Sequence, residues 1–182
     1  RANILGIQGN LWSETLSADG RLDYKVLPKL FGLAERAWAP DPAWAQERDE
    51  PKSAALFRDA WSAFVNVLGK RELPRLAREM PGLNYRIPKP GLKAVDGQVR
   101  CSLEIPGFTL RYTTDGSEPT VKSPEVRGPI PLAPVVRVAA FDATGRKGTR
   151  RHSDSRNPET PYGTLLARLL RGRSRANAQG VV

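Results

Sequence analysis

The sequence predicts an α/β segment followed by a small all-β unit, and three observations carry this prediction. A short apolar run at residues 4–7 is typical of a buried strand. Apolar residues then recur at three- and four-residue intervals over residues 27–38 and 56–68, which is the spacing of one helix face. After Tyr85 the helical period ends and β-rich runs separated by turn residues follow. We therefore predict units at residues 1–84 and 85–152 and a basic tail at residues 153–182.

The first unit opens with one strand and one helix. The loop Gln8-Gly9-Asn10 follows the apolar run and predicts the end of a strand. Pro28 lies where the first turn of the next helix is expected, because proline is tolerated there. The segment Ala39-Pro40-Asp41-Pro42 predicts the end of that helix, since a residue before proline is disfavoured in the helical conformation.

A second helix follows, with an apolar stripe from Leu56 to Leu68 that contains Trp61 and Phe64 and is interpreted as core packing. Ser53 is the predicted N-cap and Gly69 the predicted end. A weaker helical stretch at residues 72–79 should end at Pro81-Gly82.

The all-β unit is predicted to begin after an extended linker, Tyr85 to Gly91, whose prolines cannot donate backbone hydrogen bonds. A β unit of about 60 residues is marginally stable alone, so docking onto a neighbour would help it. Strands are predicted at residues 103–105, 110–114 and 135–141.

Two groups of residues in the β unit have a second interpretation. Asp115-Gly116-Ser117 could place oxygens for a sugar or calcium ion, but turn chemistry explains the same residues and is favoured. Arg111, Tyr112 and Phe141 could form a ligand face, although alternating strand residues are more often core or solvated surface.

The amino-acid composition excludes several classes of catalytic and metal site. The chain has 182 residues, one cysteine (Cys101) and one histidine (His152), which excludes an internal disulfide, a multi-cysteine zinc site and most histidine-based catalysis. Cys101 is interpreted as a small buried hydrophobe. No run of 18 apolar residues predicts a membrane-spanning helix. The sequence therefore predicts no metal and no cofactor. Any catalytic or binding chemistry would depend on carboxylates and aromatic rings.

The formal net charge of +10 comes mostly from the end of the chain. From Arg146 onward there are nine Lys or Arg residues against two acidic ones. Such a run is more often a solvated tail than a nucleic-acid interface, so no nucleic-acid partner is expected. The leucines at positions 165, 166, 169 and 170 could form a two-turn amphipathic helix, with membrane-surface or nucleic-acid binding as the alternatives. Because isolated helices that short are unstable, we expect disorder.

The segment after the first strand places an indole, Trp12, two residues before a carboxylate, Glu14. In α/β barrels this location faces the active site. A tryptophan face can stack on the C–H-rich face of a sugar ring, and a carboxylate can accept two sugar hydroxyls. The pair therefore suits carbohydrate, while a core tryptophan beside a solvated glutamate remains the simpler alternative.

The residues from Ile4 to Pro40 resemble a known family. They contain Gly-Ile-Gln-Gly-Asn-Leu-Trp-Ser-Glu, Leu22-Asp23-Tyr24 and Leu33-Ala34-Glu35-Arg36-Ala37-Trp38, and are similar to the end of the catalytic barrel of the β-N-acetylhexosaminidases, glycoside hydrolase family 20. Residues 85–91, 110–120 and 136–141 are similar to that family's C-terminal β-sandwich module. The resemblance implies the terminal strand and helices of a (β/α)8 barrel followed by a small antiparallel β-sandwich.

The resemblance also implies roles. Trp12 would line the pocket for a terminal N-acetylhexosamine, and Glu14 would bind its hydroxyls at C4 and C6. Hydrolysis would be retaining, with the substrate's acetamido oxygen as nucleophile and an adjacent Asp-Glu pair as orienting group and general acid. That pair is expected upstream, so no catalytic residue is assigned here, and Asp49-Glu50 is not taken for it.

The chain opens on Arg1 and matches only the last part of a barrel that takes about 250 residues, so we expect a fragment that is inactive and poorly folded in its barrel part. The expected partners are N-acetylhexosamine-containing glycans or chitooligosaccharides and the missing N-terminal part of the barrel. The family's polymeric substrates suggest a periplasmic or secreted location. The alternative is a non-catalytic carbohydrate-binding or structural module.

Overall fold

The computed structural model describes residues 5–12, 14, 16, 20–148 and 163–166. They form two compact units. The first takes its residues from Arg1–Arg86 and Ile105–Gly107, and the second from Ile87–Glu104 and Phe108–Val182. The first unit is helical and the second consists of antiparallel strands. The predicted order of a helical segment followed by a β unit is therefore confirmed.

Five α-helices and one π-helical turn make up the first unit in the described part of the chain. No helix there is long and apolar enough to cross a membrane. The helices are α1 (Arg21–Val26), α2 (Lys29–Trp38), α3 (Ala43–Gln46), α4 (Glu50–Val67) and α5 (Leu73–Glu79), and the π-helical turn over Leu68–Glu72 joins α4 to α5.

The bounds of α2 confirm the prediction, since Pro28 immediately precedes it and Ala39 leaves it in an extended conformation. The start of α4 differs from the prediction. Its N-cap is Asp49, whose Oδ1 accepts a 2.9 Å hydrogen bond from the backbone N–H of Lys52. Ser53 lies inside the helix and donates to the carbonyl of Trp44 at 2.7 Å, so the prediction that it caps the helix was wrong. A carboxylate four residues earlier caps the helix instead.

Gly69 does not end α4, because the chain continues through the π-helical turn into α5. The reason for a glycine here is a close backbone approach. A Cβ at Gly69 would collide with the carbonyl of Pro106 and lie 2.8 Å from Ile105 Cγ2. At Gly107, with φ +93°, an added Cβ would in turn collide with the carbonyl of Gly69. The missing side chain admits residues 105–107 into the first unit.

The apolar run at the start of the chain is not a buried strand over its described residues 5–7. Leu5 and Ile7 are exposed, and residues 5–12 have no regular structure. A strand buries its faces only between neighbours that complete its hydrogen bonds. No strand pair in the described residues includes this run, so the predicted strand is not formed there.

The second unit contains two three-stranded antiparallel sheets. The first sheet has the order β1-β2-β4 and the second the order β3-β5-β6. The strands are β1 (Gly91–Val95), β2 (Gln98–Ser102), β3 (Thr109–Thr113), β4 (Ile130–Pro131), β5 (Val135–Phe141) and β6 (Gly163–Leu166).

Both sheets contribute to one core. Val99 of β2 lies opposite Ile130 of β4, and these two side chains cluster with Val136 and Val138 of β5. All four are buried. Alternate residues of β2, β3 and β5 lie in this core or pack against it, so the second unit has a hydrophobic interior of its own.

The predicted strands at 110–114 and 135–141 correspond to β3 and β5. The strand predicted at 103–105 was wrong, because β2 ends at Ser102 and Ile105 is buried in the first unit. The β1–β2 hairpin was missed. Its turn residues Asp96 (φ 50°) and Gly97 (φ 72°) are the Asp-Gly pair that a tight hairpin favours.

Two further segments differ from the sequence interpretation. The predicted linker is anchored, since Tyr85 is buried in the first unit and Ile87 in the second. In the tail, Gly163–Leu166 forms β6 and pairs with β5, with Val135 opposite Leu166. For these residues neither helix nor disorder is found, because a strand ladder supplies backbone hydrogen bonds that an isolated short helix cannot keep. The other tail residues from 153 onward lie outside the described part.

Candidate functional site

Trp12 and Glu14 lie on the irregular segment that precedes α1. The indole of Trp12 is 74% exposed, and Glu14 is exposed in a turn. The Trp12 ring is therefore not packed in the interior of the part of the first unit that the structure describes. The two side chains thus present a flat apolar surface and a charged oxygen pair within one short segment, which are the two contacts that a sugar ring uses.

Local contacts hold the start of this segment. The side-chain amide of Gln8 donates to Asn10 Oδ1 at 2.7 Å across the predicted loop. Gly9 packs against α2, where a Cβ would lie 3.0 Å from Leu33 Cδ2. The absence of a side chain at Gly9 therefore lets the loop approach α2 closely, three residues before Trp12.

An open groove of about 600 Å³ lies between α2 and α4. Neither Trp12 nor Glu14 is among its lining residues in the described part of the chain. The sequence interpretation missed the groove because it assigned the apolar stripe of α4 to a closed core. The helices contribute Phe31, Ala34 and Trp38 from α2 and Ala60, Ala63 and Phe64 from α4.

The adjacent acids Asp49 and Glu50 stand at the start of α4. Asp49 accepts the hydrogen bond that caps this helix, and Glu50 is an exposed residue of the first turn, where a negative charge favours the helix dipole. Both carboxylates therefore have a structural explanation, in keeping with their exclusion as a catalytic pair.

The turn after β3 is built by Asp115. Its Oδ1 accepts the backbone N–H of Ser117 at 2.8 Å and the Ser117 hydroxyl at 2.6 Å, while Gly116 adopts φ +83°. The hydroxyl and then the backbone N–H of Ser117 hold the pKa of Asp115 below its ordinary value. The turn interpretation of this segment is confirmed.

A second, more buried carboxylate follows β5 and was missed by sequence reasoning. Asp142 Oδ1 accepts the Thr144 hydroxyl at 2.7 Å and the backbone N–H groups of Thr144 and Arg146 at 3.0 and 2.9 Å. Its Oδ2 accepts Arg146 Nε at 3.1 Å. The Asp-x-Thr spacing after an apolar strand was the available signal, and the contacts make Asp142 a structural residue.

Other candidates in the second unit are also structural. Tyr112 and Cys101 pack against the core cluster, and Phe141 is buried. Arg111 Nη1 donates to the carbonyl of Ser123 at 2.7 Å. Burial raises the pKa of the Cys101 thiol, which keeps it protonated at neutral pH. Within residues 20–148 and the other described positions, no cluster of three or more His, Cys, Asp or Glu side chains could hold a metal ion.

Comparison with known proteins gives two family matches in chain order. Residues 1–41 match the glycosyl hydrolase family 20 catalytic domain, and residues 72–151 match the chitobiase/beta-hexosaminidase C-terminal domain. The first match contains Trp12 and Glu14, together with the whole of α1 and α2.

Individual relatives agree with these matches. An N,N'-diacetylchitobiase of Vibrio harveyi is 33% identical over 80% of this chain and 17% of its own length. A beta-hexosaminidase of Vibrio vulnificus is 32% identical over 63% of the chain and 15% of its length. Beta-hexosaminidase B of Pseudoalteromonas piscicida is 54% identical over 35% of the chain and 10% of its length. The chain thus spans less than a fifth of the length of each of these relatives.

Proposed function

Because this chain belongs to the glycoside hydrolase family 20 β-hexosaminidases, with part of their catalytic domain and their C-terminal domain, we propose that it forms one wall of a sugar pocket. The pocket receives a terminal, non-reducing N-acetyl-β-hexosamine of a glycan or chitooligosaccharide. The observation that carries the proposal is the exposure of the Trp12 indole beside Glu14 within the segment that matches the catalytic domain.

In this proposal Trp12 supplies the apolar surface on which the sugar ring stacks, and Glu14 accepts hydrogen bonds from its C4 and C6 hydroxyls. A charged acceptor is about twice as strong as a neutral one, so Glu14 can fix the orientation of the ring.

The reaction itself would use groups that precede this segment. The proposed chemistry is retaining hydrolysis in which the acetamido oxygen of the substrate attacks the anomeric carbon, a general acid protonates the leaving oxygen and a neighbouring aspartate orients the acetamido group. Residues 1–84 would complete a (β/α)8 barrel, residues 85–152 would form the sandwich module, and residues 153–182 would be a basic tail. The chain alone is therefore expected to be inactive.

The test uses the complete enzyme that contains this chain and an aryl N-acetyl-β-glucosaminide as substrate. Glu14→Gln should lower kcat/KM by about ten- to a hundredfold, which corresponds to the loss of a charged hydrogen bond worth about 1.5–3 kcal/mol. Glu79→Gln, at an exposed position at the end of α5, is the matched control and should leave kcat/KM unchanged. Equal kcat/KM for Glu14→Gln and the unaltered enzyme would refute the role of Glu14.

A second candidate is a non-catalytic function of the second unit, and one observation chooses between its two forms. Among the described residues of this unit, the aromatic side chains Phe108, Tyr112 and Phe141 are partly or fully buried, so no open aromatic platform for sugar is offered there. We therefore favour a supporting role over carbohydrate binding. Retention of the whole chain on chitin that persists in Trp12→Ala would contradict this choice.

A further inference from the structure

We propose that Asn84 is a positioning residue for Trp12 and Glu14, because its side chain fixes the start of α1, the helix that follows them. The inference rests on the proposed function, since it takes Trp12 and Glu14 to bind the sugar. It deepens that function by giving a part in substrate binding to a residue of the region that matches the C-terminal domain, residues 72–151.

Helix α1 has little of its own to hold it in place. It has six residues, which is too short for stability as an isolated helix. Its N-cap, Gly20, has φ 72° and supplies no side-chain cap, and none of the six helical residues is buried. The position of α1 therefore depends on contacts that other segments make with it.

The segment that ends the helical part of the first unit contacts both ends of α1. Asn84 Nδ2 donates to the carbonyl oxygen of Gly20 at 2.9 Å, at the start of the helix. The backbone N–H of Arg86 donates to the carbonyl oxygen of Leu27 at 3.0 Å, at its end. Because each bond joins residues that are far apart in the chain, the two bonds set the place of α1 within the first unit.

The backbone that carries Asn84 is itself anchored. Tyr85 is 2% exposed and belongs to the first unit. The guanidinium carbon of Arg86 lies 5.9 Å from the ring centroid of Tyr24, which is within the range of a cation–π contact with α1. Asn84 therefore donates to Gly20 from a fixed base.

The bond at Gly20 bears on the sugar because little chain separates the two. Gly20 follows Glu14 by six residues, and six residues span at most about 20 Å. On the other side, Gly9 precedes Trp12 by three residues and packs against α2. The chain that carries the two sugar-binding side chains is thus held at one point before Trp12 and at another after Glu14.

Loss of the Asn84 amide would release the second of these points. Glu14 would then have to be ordered when the sugar binds, and this ordering lowers affinity. In the proposed function Glu14 contacts the C4 and C6 hydroxyls and not the anomeric carbon, so its contribution is similar in the bound substrate and in the transition state. Removal of such a contact raises KM and leaves kcat nearly unchanged.

The test uses the complete enzyme that contains this chain and the aryl N-acetyl-β-glucosaminide. Asn84→Ala should raise KM about three- to tenfold and change kcat by less than about twofold. The matched control is Asn66→Ala, because Asn66 Nδ2 also donates to a backbone carbonyl, that of Ser62, at 2.8 Å within α4. This control should leave both constants unchanged.

Thermal unfolding verifies that each variant is folded at the assay temperature. If Asn84→Ala is not, Asn84→Asp decides, since it keeps the shape of the side chain and removes its N–H donor. Asn84→Asp should also raise KM.

A double-mutant cycle separates positioning from a general loss of structure. If Asn84 acts through Glu14, Asn84→Ala should lower kcat/KM by less than about twofold in an enzyme that already carries Glu14→Gln. An equal loss in both backgrounds would overturn the proposal, as would an unchanged KM in Asn84→Ala. A loss in Glu14→Gln with no effect of Asn84→Ala removes the positioning role alone, whereas no effect of Glu14→Gln removes the proposed function and this inference with it.

Discussion

The two units of this chain differ in how many large apolar side chains they leave exposed, although the first unit also buries some, among them Leu68 and Leu73. In the second unit, Val99, Ile130, Val136 and Val138 come from two facing sheets and are buried together. In the first, Trp38, Phe57 and Trp61 stay exposed although they lie on well-formed helices. Of the twelve large hydrophobic residues that are exposed in the described part, only Val121 belongs to the second unit.

This difference shows that a segment can form a regular helix without burying its whole apolar face in a core. Helix α4 has a carboxylate cap, a proline in its first turn and strong helix formers, so it is well defined by its own sequence. Its apolar face nevertheless needs a partner, because most helix stability in proteins comes from packing. The second unit finds that partner in its own second sheet.

The largest change in stability is expected when a cavity is created in the core of the second unit. Ile130→Ala removes a buried side chain that touches both sheets and should lower the free energy of unfolding by about 2–5 kcal/mol. Val121→Ala, at an exposed position of the same unit, should change it by less than about 0.5 kcal/mol. Urea unfolding of the chain measures both, and similar values for the two variants would mean that the second core is not closed.

The first unit contains a close backbone contact at Gly69. Gly69→Ala should destabilise the chain by about 1–3 kcal/mol, because the added methyl group meets the Pro106 carbonyl and Ile105. Gly32→Ala in α2 meets nothing within 4 Å and should stabilise by about 0.5–1 kcal/mol, as expected for alanine in a helix. Thermal unfolding measures whether each variant is less or more stable than the unaltered chain. If both variants were more stable, the close contact at Gly69 would be refuted.

A smaller effect is expected at the Asp115 turn of the second unit. The lowered pKa of Asp115 means that its contribution to stability is present above its ordinary pKa of 3.8 and is lost as the pH falls through its value in the folded chain. Ser117→Ala deletes the hydroxyl donor and should move the pKa of Asp115 back toward 3.8. An NMR titration of the Asp115 carboxyl carbon measures this, and an unchanged midpoint in Ser117→Ala would exclude the hydroxyl as the cause.

The smallest effect is expected where the first unit is most exposed. Trp38→Ser should change the free energy of unfolding of the chain by less than about 0.5 kcal/mol, since the ring is 89% exposed. It should nevertheless lower the binding of a hydrophobic dye, because the ring is part of the open apolar surface. Fluorescence titration with the dye and urea unfolding give the two readouts, and a large loss of stability would mean that Trp38 belongs to a core.

The sequence predicts those structural features that depend on residues close together in the chain. It predicts α2, β5 and the Asp115 turn, because periodicity, proline positions and turn chemistry act over a few residues. It does not predict features that depend on distant ones. Gly69 was interpreted as a helix end because its contact with Pro106 joins residues far apart in the chain. The apolar run at residues 4–7 was predicted to be a strand, a structure that its neighbours must complete.

The candidate site likewise has features that the sequence predicts and features that only the structure shows. The sequence named Trp12 and Glu14 through a resemblance, and the structure adds the exposure of the indole and the packing of Gly9 on α2. The groove between α2 and α4 could not be predicted, because an apolar stripe looks the same whether its partner lies in this chain or elsewhere.

The most direct test of the central claim, that residues 1–41 form part of a larger catalytic domain with a sugar pocket at Trp12 and Glu14, is to read the coding DNA upstream of Arg1. We predict an in-frame sequence that encodes further barrel strands and an adjacent Asp-Glu pair after one of them. A translation start close to Arg1 would contradict the claim, because the chain would then be made without a general acid.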